Sequence, residues 1–427
     1  MHTGEGGPLG PAMAELLEAA HRAGPRDVPG LVWQAGRRIG VSHAWIYLAD
    51  VQQEKLVALP RPDAPSQALA GAPPDSDTVD IDGSLAGRAY RTETLQVGSG
   101  PIRAGAGPGP DGDAEDAPVP PTGTVAWLPL VDGIGRIGVL RVAAPALDDR
   151  LLADCRTLAS AVALLIATKT LFSDVLVQTV RSRRMTLQAE LLWAFVPPRT
   201  IGTHRVTSSA VLEPAYDIGG DAFDHNLAGN GLHLTLVDAM GHDLAAGGCS
   251  AVALAACRST RRGGGTLPDI ADTIEAAMAR WIPDRLLTCV IADLDTVTGR
   301  LTWINCGHPA PLLIRDRRIV DHALERRPHL PLGVSAAFHA HRAELHTAQL
   351  EPGDRILLYS DGVTEARGVD GELFGEHRLA DTVVRAMADG LPAPEALRRL
   401  MLRILAHQEH RLRDDATILL TEWHPDG

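Results

Sequence analysis

Residues 356–366 read "ILLYSDGVTEA". Four apolar or aromatic residues run into a Ser-Asp-Gly-Val turn. A buried strand therefore ends by projecting the carboxylate of Asp361, with Gly362 directly behind it. One such acid is an ordinary turn former, but here the pattern recurs. "YDIGGDAFDH" carries Asp217, Asp221 and Asp224, and "LTLVDAMGHD" places Asp238 after an apolar strand. "RLRDDATILL" sets Asp414 and Asp415 ahead of the last strand. At a strand end a rigid sheet aims the side chain while the adjoining loop leaves it open to solvent.

Three or more carboxylates meeting at one point repel unless a cation lies between them. Hard divalent cations such as Mg²⁺ and Mn²⁺ take oxygen ligands and keep several waters. Aspartate suits such a site where the backbone must approach closely, and the glycines beside Asp221 and Asp361 permit that approach. Any one of these acids alone reads as a turn or cap residue. The set, in this order, reads as a divalent-metal site.

The rest of the chain sets bounds on that reading. At 427 residues it is long enough for two or three domains. With 45% hydrophobic and 22% charged residues it can build sizeable cores. A net charge of −13 without a basic stripe argues against a nucleic-acid partner, although bound metal would reverse the local sign for an acidic substrate. Cys155, Cys249, Cys257, Cys289 and Cys306 show no C-x-x-C pair or zinc spacing, which fits small core residues in a reducing compartment. Residues 1–12 lack a signal-peptide pattern, and "LASAVALLIA" at 158–167 is too short to span a bilayer. The expectation is a cytoplasmic protein with no membrane partner.

Along the chain, helical patterns at 12–23 and 28–40 precede an alternating strand, "SHAWIYLAD" (42–50), and a short helix, "GSLAGRAYRTE" (83–93). Residues 98–122 are rich in Gly, Pro and Asp. No Lys-Ser/Thr follows their glycines, so they read as a disordered loop rather than a phosphate loop. "VAWLPLV" and "GRIGVLRVAA" form a hairpin. A long helical region follows, with Leu171, Val175, Leu176, Val180, Leu187, Leu191 and Leu192 at roughly coiled-coil spacing, interrupted by "RSRR" and ended by Pro197-Pro198. From Arg205, strands alternate with helices. "HRVTSSAVLEPA", "GLHLTLVDAMG" and "DATILLTEW" are strands, and "LAAGGCSAVALAACRST" is a buried helix. "LLTCVIADLDTVTGRLTWINCGHPAPLLIRD" reads as a three-strand meander. This mixture gives an α+β sandwich.

"GGDAFD", "VDAMGHD", "NCGHPAPLL", "PLGV", "LEPGDRILLYSDGVTEAR" and "DDATILL" together resemble, in order and spacing, the metal-dependent PPM-type (PP2C-like) protein phosphatases. The subgroup is the bacterial one typified by the stage II sporulation phosphatase and the regulators of stress sigma factors. The resemblance covers about residues 185–424. It implies an αββα sandwich of two antiparallel sheets, two Mn²⁺ or Mg²⁺ ions, and hydrolysis of phosphoserine or phosphothreonine by a hydroxide that bridges the ions. Carried over by motif, Asp221 and Asp238 are the catalytic acids and also metal ligands, Asp238 bridging both ions. The Ala239 backbone carbonyl, Asp361 and Asp414 complete the ligand set. Asp224, Asp415, Gly362 and His308 rank below them, the two acids as holders of metal-bound water. The subgroup's usual substrate implies a phosphorylated anti-anti-sigma-type protein as partner.

Residues 12–168 resemble a GAF domain in layout, which implies a sensor or dimerisation module. A bound small molecule and a purely structural role stay open for it. The organisation expected is therefore a flexible N-terminus (1–11), the GAF-like domain (12–168, with its loop at about 98–122), a connecting helix (169–198) that pairs a homodimer, and the phosphatase domain (199–427). Three features depart from the family pattern. Met240 stands where eukaryotic relatives carry a histidine, "GHD" at 241–243 replaces G-H-G, and Ala222-Phe223 replace larger aromatics. None removes an expected ligand. Two other functions stay in view. One is a catalytically weak scaffold that binds a phosphoprotein. The other is a diguanylate cyclase, because "GGDAF" resembles the G-G-D-E-F loop, although Ala222 stands where that enzyme needs an acid.

Overall fold

The structure, a computed structural model, describes residues 7–60, 78–101, 122–333, 342–368, 370–409, 412 and 414–425. The chain divides into two compact units, Met1–Arg183 and Arg184–Gly427.

In the first unit, α1 (Leu9–Arg22) and α2 (Val28–Ile39) lead into β1 (His43–Ala49), β2 (Lys55–Ala58) and β3 (Thr78–Asp80). Then follow α3 (Leu85–Thr92), β4 (Gln96–Pro101), β5 (Thr122–Asp132), β6 (Gly135–Ala144), α4 (Asp149–Thr170) and α5 (Asp174–Thr179). The strands form one antiparallel sheet in the order β3-β2-β1-β6-β5-β4. Alternation gives the sheet two apolar faces. Ile46, Leu128 and Leu140 pack with Leu16, Val32, Leu158 and Val162 from α1, α2 and α4. Tyr47, Leu56 and Val139 pack with Ala86, Ala89 and Tyr90 of α3 on the other. The mean hydropathy of α4 reaches 1.6, long and apolar enough to cross a membrane, yet Cys155, Leu158, Ala159, Val162, Ala163 and Ile166 spend its apolar face on the core.

The expected connecting helix at 169–198 is not one helix. Helix α4 ends at Thr170, α5 at Thr179, and α6 (Leu187–Phe195) belongs to the second unit. The apolar spacing that suggested a coiled coil is shared between two cores. Leu176 is buried in the first unit and Leu192 in the second, while Leu171 is 85% exposed. The division therefore falls at Arg183–Arg184, inside "RSRR", rather than at 199. Residues 9–11 of the expected flexible N-terminus are helical, and 1–6 lie outside the described residues. Of the expected loop at 98–122, Gly98–Pro101 pairs with Thr122–Val125 as strand, and 102–121 lie outside the described residues.

The second unit continues from α6 with β7 (Thr200–Gly202), β8 (Val206–Glu213), β9 (Asp221–Ala228), β10 (Gly231–Ala239), α7 (Leu244–Arg262) and α8 (Leu267–Trp281). Next come β11 (Leu287–Asp295), β12 (Arg300–Cys306), β13 (Leu312–Arg315), β14 (Arg318–Ile319), β15 (His346–Gln349) and β16 (Arg355–Tyr359). The short α9 (Asp361–Thr364), α10 (Gly375–Ala388), α11 (Ala393–His407) and β17 (Ala416–Trp423) complete it. Two antiparallel sheets result, β15-β12-β11-β10-β9 and β14-β13-β16-β17-β8-β7. Leu234, Leu236 and Ile291 meet Leu212, Leu358 and Leu419 in a core that also takes in α7 and α8. A second core packs Val211, Leu357, Tyr359 and Ile418 against α10 and α11. Each fully buried Leu, Ile or Val contributes roughly 1.5–3 kcal/mol relative to exposure.

This is the mixed α+β architecture read from the sequence, with one change of path. The expected meander stops after two strands, because β13 joins the other sheet. Gly307 at φ +73° turns the chain out of β12, and Asn305 clamps that turn through its side-chain amide, accepting from the His308 N–H at 2.9 Å and donating to the His308 carbonyl at 2.8 Å.

Candidate metal centre

The register of β9 against β10 sets Asp221 opposite Asp238. Side chains alternate along each strand, so Asp221 shares its face with Phe223 and Asp238 shares its face with Leu236. On the far side of β10, Thr288 of β11 lies opposite Asp238. The other sheet brings its acids from two neighbouring strands. β16 ends at Tyr359 and releases Asp361 into α9, while Asp414 and Asp415 lead into β17.

The two sheets are tied together at this point through Asp415. Its Oδ2 accepts from the backbone N–H groups of Gly219 (3.0 Å), Gly220 (2.6 Å) and Asp221 (3.2 Å). One buried carboxylate thereby fixes the turn that starts β9. Close backbone approach matters at two glycines. A Cβ on Gly220 would stand 2.4 Å from the Ala239 carbonyl oxygen, and one on Gly362 would stand 2.0 Å from the Asp415 carbonyl oxygen. These contacts explain a glycine directly beside each acid, because any side chain would force the strands apart.

Electrostatics then mark the site. Burial, followed by the charges of Asp361, Asp414 and Asp415, pushes the Asp238 carboxyl up to about 7, with the Thr288 hydroxyl opposing. Asp221 is raised well above the ordinary range by burial and by the charges of Asp238 and Asp415, against the hydroxyls of Ser360 and Thr417. Burial and then Asp414 raise Asp361. The five carboxylates are thus within electrostatic reach of one another. Among the described residues no arginine or lysine pairs with any of them, whereas nearby Asp224 takes two. The Oδ2 of Asp221 is buried with no hydrogen-bond partner among the described residues.

An anionic floor, an orphaned carboxylate oxygen and an all-oxygen donor set fit hard divalent cations. Asp221 and Asp238 form the floor, and Asp361 and Asp414 stand exposed at the rim. Floor and rim stand apart. Among the described residues no three His, Cys, Asp or Glu groups surround one point closely enough to hold an ion.

Asp221, Asp238, Asp361, Asp414 and Asp415 lie within electrostatic reach of one another, and Gly220 and Gly362 sit against the Ala239 and Asp415 carbonyls, without three of the acids converging on a single point. One of the lower-ranked acids stands away from the site, and another carries an additional role. Asp224 lies on the opposite face of β9, and its carboxylate is ion-paired with Arg258 (2.7 Å) and Arg261 (2.8 Å) of α7. Despite burial, these arginines hold it below the ordinary range. Having no oxygen to spare toward the site, it is corrected from water holder to structural ion pair. Asp415 commits its Oδ2 to three amides and so acts as a clamp, while its Oδ1 receives only a long 3.3 Å contact from Gly219.

His308 is fully buried behind the site, its Nδ1 2.8 Å from Thr288 Oγ1. Burial brings it down to about 4, so it is neutral at physiological pH. The hydroxyls of Thr288, Ser360 and Thr417 were not anticipated. Ser360 and Thr417 flank acids in "YSDG" and "DDAT", the one signal that pointed to them. Asp243 caps α7 by accepting from the Ala246 N–H (2.8 Å) and pairs with Arg285 (2.9 Å), so its extra charge is neutralised.

A family model described as stage II sporulation protein E (SpoIIE) matches residues 228–424. The match takes in Asp238, Ala239, His308, Asp361, Asp414 and Asp415 and begins after Asp221. Phosphoserine phosphatase RsbU of Bacillus subtilis is 23% identical over 250 residues, which are 57% of this chain and 72% of RsbU. Protein IcfG of Synechocystis sp. is 27% identical over 128 residues, 30% of this chain, and the chain spans only 19% of its length. The SiaA-PP2C domain of Pseudomonas aeruginosa aligns at 20% identity with a TM-score of 0.46, covering 55% of this chain and 94% of that one.

Proposed function

We propose that this chain, whose residues 228–424 form a SpoIIE/PP2C-type phosphatase domain, is a metal-dependent protein serine/threonine phosphatase. In this reading Asp221, Asp238, Asp361, Asp414 and the Ala239 carbonyl hold two divalent cations, Mn²⁺ or Mg²⁺. The observation that carries it is Asp238, an acid on one sheet raised by burial and by three acids from the other. Such repulsion is costly unless cations occupy the gap.

Bound there, the cations would activate water and neutralise phosphoryl oxygens. The chain's own residues do the rest. Asp221 and Asp238 fix the floor on paired strands, Asp415 locks the turn that carries Asp221, and the glycines bring the Ala239 carbonyl within reach. Asp361 and Asp414 close from the rim, and their exposure gives a phosphorylated side chain on another protein access from solvent. No protein nucleophile is required, which fits five cysteines that are all free and buried.

The test is release of phosphate from a phosphoserine protein by the purified chain with Mn²⁺, against an Asp238→Asn variant. Activity that disappears with chelator and in the variant supports the reading. Equal release by both proteins refutes it. Stable capture of the phosphoprotein without turnover would favour the scaffold reading instead.

The finer parts of the proposal are a phosphorylated anti-anti-sigma-type substrate, a GAF-like sensor or dimerisation module in the N-terminal unit, a homodimer and a cytoplasmic location. Similarity to RsbU, a phosphoserine phosphatase, supports a phosphoserine group on the substrate of the first, and the six-stranded antiparallel sheet with helices on both faces supports the second. Turnover by residues 184–427 alone, indistinguishable from the full chain, would remove the regulatory part.

A further inference from the structure

The first unit carries a cavity that the metal chemistry leaves unused. Helix α3 ends at Thr92, and Glu93 turns the chain out of it in the left-handed region, at φ +54°. Glycine is the usual residue at such a helix end, because a Cβ there costs energy. The strand that follows, β4, begins only at Gln96, opposite Trp127 of β5. Among the described residues, 128–132 of β5 therefore run on with no partner from β4, and a gap opens beside them. Helix α4 lines the gap with Arg156, Ala159 and Ser160, spaced i, i+3 and i+4 on one of its faces. The result is a cavity of about 240 Å³ with apolar walls from Leu95, Leu128 and Val131. At roughly 30 Å³ per water it has room for about eight waters, less than a drug-sized ligand needs.

Two opposite charges, Glu93 and Arg156, line this one cavity without pairing. Among the described residues neither side chain has a hydrogen bond or an ion pair, with the other or with any neighbour. Burial raises the Glu93 carboxyl above its ordinary range, against the charge of Arg136. Arg136 itself is engaged elsewhere, over the Tyr90 ring at 4.6 Å and donating to Gln53 Oε1 at 3.3 Å. A half-buried carboxylate and an unpaired guanidinium beside apolar walls are each short of a counter-charge. We infer that the cavity binds a small α-amino acid with an apolar side chain. The ligand's ammonium meets Glu93, its carboxylate takes the fork of Arg156, and its side chain lies against Leu95, Leu128 and Val131. A lone anion would be repelled by Glu93 and a lone cation by Arg156, whereas a zwitterion answers both. The site lies wholly within the first unit and is independent of the metal reading.

The experiment is titration calorimetry of the full chain with L-leucine and L-phenylalanine, and with glycine as the probe that lacks an apolar side chain. Two analogues separate the charges: 4-methylpentanoate is leucine without its amine, and L-leucinamide is leucine without its carboxylate. The expected result is saturable binding of leucine or phenylalanine, with glycine and both analogues weaker. Glu93→Gln and Arg156→Gln should each weaken leucine binding roughly 10- to 100-fold, as loss of a hydrogen bond to a charged group does. In Glu93→Gln, leucine and 4-methylpentanoate should bind alike, and in Arg156→Gln, leucine and leucinamide should bind alike. A substitution that merely loosened the fold would not produce those matched pairs, and thermal unfolding without ligand checks the fold directly. If a variant fails to fold, the analogues on the unaltered protein carry the same comparison. The inference is overturned by no saturable binding of leucine or phenylalanine at millimolar concentration, by glycine or either analogue binding as tightly as leucine, or by folded variants that bind leucine unchanged.

Discussion

Replacing Asp238 by asparagine should stabilise the metal-free protein while abolishing its use of metal. The magnitude follows from the raised carboxyl. From its ordinary 3.8 to about 7 is about 3 units, and at 1.36 kcal/mol per unit the ionised form costs the metal-free fold at most about 4 kcal/mol. Asp238 is partly exposed and can turn toward water, so about 2 kcal/mol is the working figure. For a unit of this size that corresponds to about 4–8 °C in the unfolding midpoint. The sign is set by a folded-state pKa above the unfolded one. The unfolded chain releases its proton near 3.8 and the folded chain only near 7. The penalty therefore grows as pH rises between those values and is complete above 7. In chelator, Asp238→Asn should unfold several degrees above the unaltered protein at pH 8, and the gap should close as pH falls toward 4. With Mn²⁺ the order reverses, because only the unaltered protein gains binding energy. Calorimetric scans at two pH values, with and without chelator, make the comparison. A variant less stable in chelator at pH 8, or a gap that ignores pH, would refute the electrostatic picture.

Three further outcomes follow from particular contacts. Asp224→Ala should cost about 3 kcal/mol in denaturant titration by leaving Arg258 and Arg261 unpaired, yet leave Mn²⁺ affinity within about threefold, as a change on the far face of β9 should. Gly362→Ala must accommodate a Cβ 2.0 Å from the Asp415 carbonyl, so it should destabilise the fold by about 1–3 kcal/mol and weaken Mn²⁺ binding in the same titration. Burial alone would lower His233, but the Asp293 carboxylate at 2.7 Å and the Cys257 thiol outweigh it and carry the ring up to about 9. That stabilisation is complete below pH 6.5 and fades as pH rises through 9. Asp293→Asn should therefore lower the unfolding midpoint at pH 6 and leave it unchanged at pH 10.

The strand-end acids were legible from local signals, an apolar run ahead of Asp238 and Asp361 and a glycine beside Asp221 and Asp361. The order and spacing of those motifs linked segments that no local signal joins. Reading residue type without facing direction is what misplaced Asp224. One residue of strand phase separates it from the cleft side of β9, and the arginines that hold it lie 34 and 37 residues away on α7. Asp415 was seen as an acid and not as a clamp, since its three amide donors lie 194–196 residues distant. The long connecting helix was overread for a related reason. Apolar spacing shows that a face is buried and not what buries it, so Leu176 and Leu192 looked like one seam while serving two cores. The turn at Gly307 that sends β13 to the other sheet needs a left-handed backbone, for which the glycine was the sole local sign.

The account stands on aspartates that are far apart in number enclosing a pair of cations. Crystals of the chain grown with Mn²⁺ and measured at the manganese absorption edge test this directly. Two anomalous peaks bounded by Asp221, Asp238, Asp361, Asp414 and the Ala239 carbonyl are predicted. Peaks at other residues, or none there at saturating Mn²⁺, would contradict it.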